Sequence, residues 1–177
     1  MTFADAFRSE LNRLHETLEA CVKDLTDEQL HAVPVGHPKL NTIAFEFWHY
    51  VRTEDTVINL FLRGRQPTVW ATGEWYERFG HAKNRQGTGM SSEDAQGLRI
   101  SDMPAFLEYS SQVWASTDAF LDALSEDRLK EPITVPPLGE LTFGTTLMRP
   151  ILTHGFTHVG QIETMRVLLG LETAIGL

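Results

Sequence analysis

The sequence predicts an all-α fold, a four-helix bundle with one long crossover between its second and third helices. Three observations lead there. Apolar residues recur at intervals of three and four along three separate stretches, and a fourth, histidine-bearing stretch closes the chain. Leu25-Thr-Asp-Glu-Gln-Leu30 after the first helix is echoed by Leu124-Ser-Glu-Asp-Arg-Leu129 after the third, which suggests two helical hairpins of similar plan. Finally, the one strand-like run, Ile133-Thr-Val135, is too short to build a sheet. At 177 residues the chain is expected to fold as one domain, 1–177, with a core of its own.

Phe3, Phe7, Leu11, Leu14, Leu18, Cys21 and Leu25 mark a first amphipathic helix over 3–25. Thr26 and Gln29 have the spacing of a capping box for one short turn. His31, Pro34, Gly36, His37 and Pro38 then read as a loop. Asn41 is the expected N-cap of the second helix, which runs to Arg63 and stops at Gly64. Its stripe is Phe47, Val51, Ile58 and Leu62, with Glu54 inside it. His49 shares a mixed face with Phe45, Thr53, Thr56 and Leu60, a candidate pocket wall.

From Arg65 to Ser101 the periodicity loosens. A connection of this length inside a compact domain is usually functional or partly disordered. Trp70, Trp75, Tyr76 and Phe79 either anchor its first half to the helices or wall a substrate pocket. Gly73 to Phe79 is compatible with a short helix, and Lys83 to Glu93 is expected to be mobile. Ser101 should cap the third helix, with Pro104 in its first turn and a stripe of Phe106, Val113, Phe120 and Leu124. After a proline-rich loop the last helix begins between Thr142 and Arg149. If it begins early, Pro150 should kink it.

That last helix carries the chemistry. His154 and His158 are four residues apart, so both imidazoles share one face and can grip one metal ion. A bundle can bring the second and fourth helices side by side, which makes His49 the candidate third ligand. Three imidazoles leave an open position where a water or thiol could be activated. Zinc, nickel, iron and manganese are all compatible with the site, and the sequence does not choose among them.

Other residues have candidate supporting roles. Gln161, one turn beyond His158, either hydrogen-bonds a ligand or bound water, or makes an ordinary inter-helix or solvent contact. Glu54 either orients a histidine or accepts a proton, or else pairs with Arg52, Arg149 or Arg166. Gly155 and Gly160 suggest close helix contact or room for a ligand. Arg63 and Arg65 either receive an anionic substrate or form a solvated helix end. His15, His31, His37 and His81 lack partner spacing and read as surface residues, and Cys21 reads as a small core residue.

A formal net charge of −9 without clustered Lys and Arg argues against a nucleic-acid partner. No apolar run is long enough to span a bilayer, the start Met-Thr-Phe-Ala-Asp-Ala lacks signal-peptide character, and one cysteine excludes an internal disulfide. A cytoplasmic location, a small-molecule substrate and no membrane partner are therefore expected.

The run Asn41-Thr-Ile-Ala-Phe-Glu-Phe-Trp-His-Tyr-Val-Arg-Thr-Glu-Asp55, followed much later by Thr153-His-Gly-Phe-Thr-His-Val-Gly-Gln-Ile162, resembles the DinB-like (DinB/YfiT) superfamily. The resemblance implies an up-down-down-up bundle, often a homodimer, with a divalent metal near one end. It also implies that one ligand comes from helix two and two ligands four residues apart from helix four, here His49, His154 and His158. Relatives include S-transferases using low-molecular-weight thiols such as bacillithiol, and a mycothiol-dependent isomerase. Thiol transfer to a small electrophile, or metal-assisted hydrolysis, is the activity this implies. The alternative is a non-catalytic, stress-related dimeric bundle that binds a metal or small ligand.

Overall fold

Thr2 opens α1 (Phe3–Val22) with a reciprocal cap: its hydroxyl accepts from the Asp5 amide at 3.1 Å, and the Asp5 carboxylate accepts from the Thr2 amide at 2.9 Å. The computed structural model describes residues 2–175. Helix α1 buries Phe7, Leu11, Leu14, Leu18 and Cys21 of the predicted stripe, and also His15 and Val22, which lie outside it. It stops at Val22, short of Leu25. The Thr26–Gln29 box then opens α2 (Asp27–His31).

Helix α3 (Ile43–Asp55) is capped by Thr42 rather than Asn41, because the Thr42 hydroxyl accepts from the Phe45 amide at 3.1 Å. Asn41 is engaged elsewhere, donating its side-chain amide to Glu46 at 2.8 Å. The helix continues with wider π winding through Thr56–Leu62, and Gly64 follows at φ +69°, as its role as stop requires. The crossover holds three short helices, α4 (Val69–Thr72), α5 (Trp75–Arg78) and α6 (Ser92–Gln96). Asp102, not Ser101, caps α7 (Met103–Asp122) through the Ala105 amide at 3.0 Å.

A small sheet corrects the expectation that Ile133-Thr-Val135 is too short to form one. Strands β1 (Pro132–Val135) and β2 (Gly139–Thr142) pair antiparallel, with Pro132 opposite Thr142 and Val135 opposite Gly139. The partner strand was masked because Gly139-Glu-Leu-Thr142 has no β-branched run. The turn through Pro136–Leu138 brings it back, with Gly139 at φ +83°.

Thr142 caps α8 (Phe143–Thr146), so the last helix begins early and meets Pro150 in its interior. The chain answers the proline with π winding over Leu147–Thr153 instead of a break, and α9 (His154–Leu168) follows directly. The Thr153 hydroxyl donates to the Met148 carbonyl, five residues back, at 2.8 Å.

The protein is thus mostly helical, with one small two-stranded sheet. Its four long helices form a closed set of contacts: α1 and α3 each pack against both α7 and α9. The α1–α3–α9 junction is tight at Gly155, where an added Cβ would lie 2.3 Å from Leu14 Cδ2 and 2.7 Å from Tyr50 Cε2. That close approach lets α9 bring its histidines up to α3. Among the described residues no helix is long and apolar enough to cross a membrane.

Candidate metal centre

His49 projects from the middle of α3, and His154 and His158 occupy the first two turns of α9. One ligand atom from each lies within 4.8 Å of the other two. Nε2 of His154 faces Nε2 of His158 at 2.9 Å. The imidazoles of His154 and His158 each sit edge-on to that of His49, with ring centroids 5.2 Å away in both cases.

The outer nitrogens of two of these rings are committed. His49 donates its Nδ1 proton to the Gln86 carbonyl, and since a carbonyl cannot donate, that proton must sit on Nδ1. His158 turns Nδ1 toward the Glu46 carboxylate at 2.5 Å, and Asn41 holds the other carboxylate oxygen. Both rings therefore present an Nε2 lone pair to the shared space, the arrangement that orients histidines toward a metal. Burial, followed by the charges of His158 and His49, pushes His154 down to about 4. Burial lowers His49 as well. Both are neutral near pH 7, as metal ligands must be. The three rings fit a divalent cation in donor type, and His49 and His158 also in tautomer.

A cavity of about 630 Å³ opens over the cluster, within the size range of small-molecule sites. Helix α3 contributes Phe45 and Thr53 of the mixed face predicted around His49, whereas Thr56 and Leu60 do not line the cavity, and Val57 of the π-wound continuation does. The opposite wall comes from the β-hairpin, Val135 to Leu138. The third side is Gln86 to Met90 of the crossover, the stretch expected to be mobile, which here lies against His49. Gly87 is at φ +102°, and a Cβ there would fall 2.4 Å from His49 Nδ1.

The DinB superfamily profile matches residues 10–162. This chain belongs to the DinB superfamily. A DinB-like fold is also shared with a solved structure, that of a conserved protein from Enterococcus faecalis. The two align with a TM-score of 0.82 over 96% of this chain and 99% of the other. At 21% identity that likeness speaks for the fold alone. No curated protein matches the sequence.

Other predicted residues of this DinB-superfamily chain fall into place less evenly. Gln161 is exposed and lines the cavity. Glu54 is fully buried away from it, and the predicted pairing with Arg52, Arg149 or Arg166 is absent. Its oxygens instead accept from Thr117 at 2.7 Å and Tyr50 at 2.8 Å and meet His15 Nε2 at 2.9 Å. Glu54 does orient a histidine, but one remote from the cluster. His15 is accordingly no surface residue: it is buried and stacked on Trp114. His31 and His81 are also tied down, His31 Nε2 accepting from the Ile100 amide at 3.0 Å and His81 Nε2 bonding the Arg99 carbonyl at 2.8 Å. His37 is exposed as expected.

Trp70, Trp75 and Phe79 are buried against Tyr109 and Phe106, so these aromatics anchor the crossover and do not wall the cavity. Asp55 completes that anchor, accepting from the Val69 and Trp70 amides at 2.8 and 2.9 Å. Arg63 bonds Asn59 and Ser116 outside the cavity. Gly160 faces open space, so it makes no close helix contact, and it is not among the cavity-lining residues either. Cys21 is buried, and burial with the neighbouring Glu163 carboxylate pushes its thiol up, away from reactivity. Glu46, Asn41 and Gln86 were missed. Only Glu46 carried a signal, lying one helical turn before His49.

Proposed function

We propose that this protein is a divalent-metal-dependent enzyme acting on a small molecule, with His49, His154 and His158 as the metal ligands. The observation that carries the reading is the convergence of three imidazoles, two of them held with Nε2 inward, on a cavity large enough for a substrate. Zinc and nickel are the first metals to try, then iron and manganese.

A bound divalent ion would supply Lewis acidity, lowering the pKa of a thiol or water toward neutrality. The chain's own residues do the rest. Glu46 and the Gln86 carbonyl hold the rings of His158 and His49 with Nε2 inward. The hairpin's Val135 to Leu138 give the cavity an apolar side. Gln161, at the edge, is placed to hydrogen-bond a ligand. The reaction proposed is S-transfer from a low-molecular-weight thiol to an electrophile, or hydrolysis of a small molecule.

The finer architecture belongs to the same proposal: one domain over 1–177, an up-down-down-up four-helix bundle, and a cytoplasmic homodimer. The closed contacts among α1, α3, α7 and α9 support the bundle. The homodimer rests on the family resemblance. A panel of thiols with electrophiles, and of hydrolysable esters and amides, tests the activity in metal-loaded protein. Turnover that disappears in a His49→Ala, His154→Ala double variant supports the reading, and ordinary turnover in that variant removes it.

A further inference from the structure

Arg149 has no role in the site as described so far. It lies on the π-wound turn before α9, five residues ahead of His154, and it lines the cavity. Among the described residues it is the one cationic side chain in the cavity wall. No ion pair among the described residues involves it. The one carboxylate lining the same cavity, Glu46, is engaged at both oxygens, by Asn41 and His158, and is not free to neutralise Arg149.

Thr53 and Gln86 also line this space. Much of the lining is apolar, with Val57, Phe61, Val135, Pro136, Leu138 and Leu141. The cavity therefore offers a cation and an apolar body. Five residues of helix place the Arg149 backbone about 7 Å along the axis from His154, a separation that a small organic molecule can bridge.

We propose that the cavity takes an apolar small molecule bearing one carboxylate, the carboxylate resting on Arg149 and the apolar body on the hairpin wall. This rests on the reading of the cavity over His49, His154 and His158 as the substrate site. Guanidinium and carboxylate match in geometry as well as charge, because the planar fork donates two parallel hydrogen bonds. The opposite end of the molecule then reaches toward the histidines.

The test uses three probes of one shape: 4-phenylbutanoate, 4-phenylbutanamide and 4-phenylbutylamine. Binding is measured by isothermal titration on the full chain, both metal-free and zinc-loaded, with zinc content determined separately. The expected result is that the carboxylate binds roughly fivefold tighter than the amide, and that the amine binds weakest. The preference should persist without metal, fall in Arg149→Gln, and be partly kept in Arg149→Lys. Arg149 is exposed, so neither variant threatens the fold. Equal binding of carboxylate and amide, binding of none of the probes, or an unchanged preference in Arg149→Gln would each overturn the proposal. Because the preference is read with and without zinc, a protein that takes up no metal yet prefers the carboxylate contradicts the metal reading alone.

Discussion

Glu46 and His158 lie 112 residues apart in the sequence, yet the Glu46 carboxylate sits 2.5 Å from Nδ1 of His158. The contact fixes the ring by joining α3 to α9, and it leaves Nε2 facing His154. Partners of this kind typically govern metal affinity by about 10- to 100-fold. Glu46→Gln should therefore weaken zinc binding by a factor in that range while leaving the helical content unchanged. Competition titration with a chromogenic chelator measures the affinity, and circular dichroism measures the helix. Unaltered affinity would show that the carboxylate does not act on the site.

Gly87 makes the matching argument from the crossover. Its φ of +102° suits glycine, and any Cβ would press on the His49 ring at 2.4 Å from Nδ1. Gly87→Ala should cost more than about 1 kcal/mol from backbone strain alone. It should also lower metal affinity by displacing His49 from the Gln86 carbonyl. A variant that melts lower but binds zinc normally would contradict the fit between the two residues.

The helices and the histidine pair of α9 could be read in the sequence for a common reason: both are written in local spacing. The recurrence of Phe7, Leu11, Leu14 and Leu18 places α1, and the four-residue step from His154 to His158 places two imidazoles on one face. What escaped depends on distant contacts. Nothing near Glu54 in the sequence points to His15 or Thr117, and nothing near His49 points to Gln86. The hairpin escaped because β2 has no strand signal until β1 is beside it. Capping was legible in kind but misplaced by one residue, since Asn41 and Thr42 compete for one position and Glu46 draws Asn41 away.

The two glycines of α9 should behave oppositely. At Gly155 a Cβ would overlap Leu14 and Tyr50, so Gly155→Ala is expected to destabilise by about 1–3 kcal/mol through overpacking. Gly160 is exposed with nothing within 4 Å, so Gly160→Ala should stabilise by up to about 1 kcal/mol. Urea denaturation of both variants beside the wild type measures the two signs. Equal effects would mean that α9 does not approach α1 and α3 as described.

Glu54 gives the fold an acid-sensitive point. Burial alone would raise its pKa, but the His15 charge and the hydrogen bonds from His15, Thr117 and Tyr50 outweigh it and leave the group below its ordinary value of 4.5. A carboxylate depressed on folding contributes stability that is fully present above the unfolded value and lost as pH falls through the folded one. Glu54→Gln should therefore cost about 3 kcal/mol at pH 7, and the gap to wild type should narrow below pH 4.5. Melting curves across that pH range would show it, and a gap independent of pH would remove Glu54 as the source.

The central claim is that His49, His154 and His158 hold one divalent ion. Elemental mass spectrometry of untagged protein, wild type beside His158→Ala, tests it most directly. The account predicts close to one divalent metal per chain in the wild type and a large loss in the variant. Wild-type protein that takes up no zinc, nickel, iron or manganese on reconstitution would contradict it.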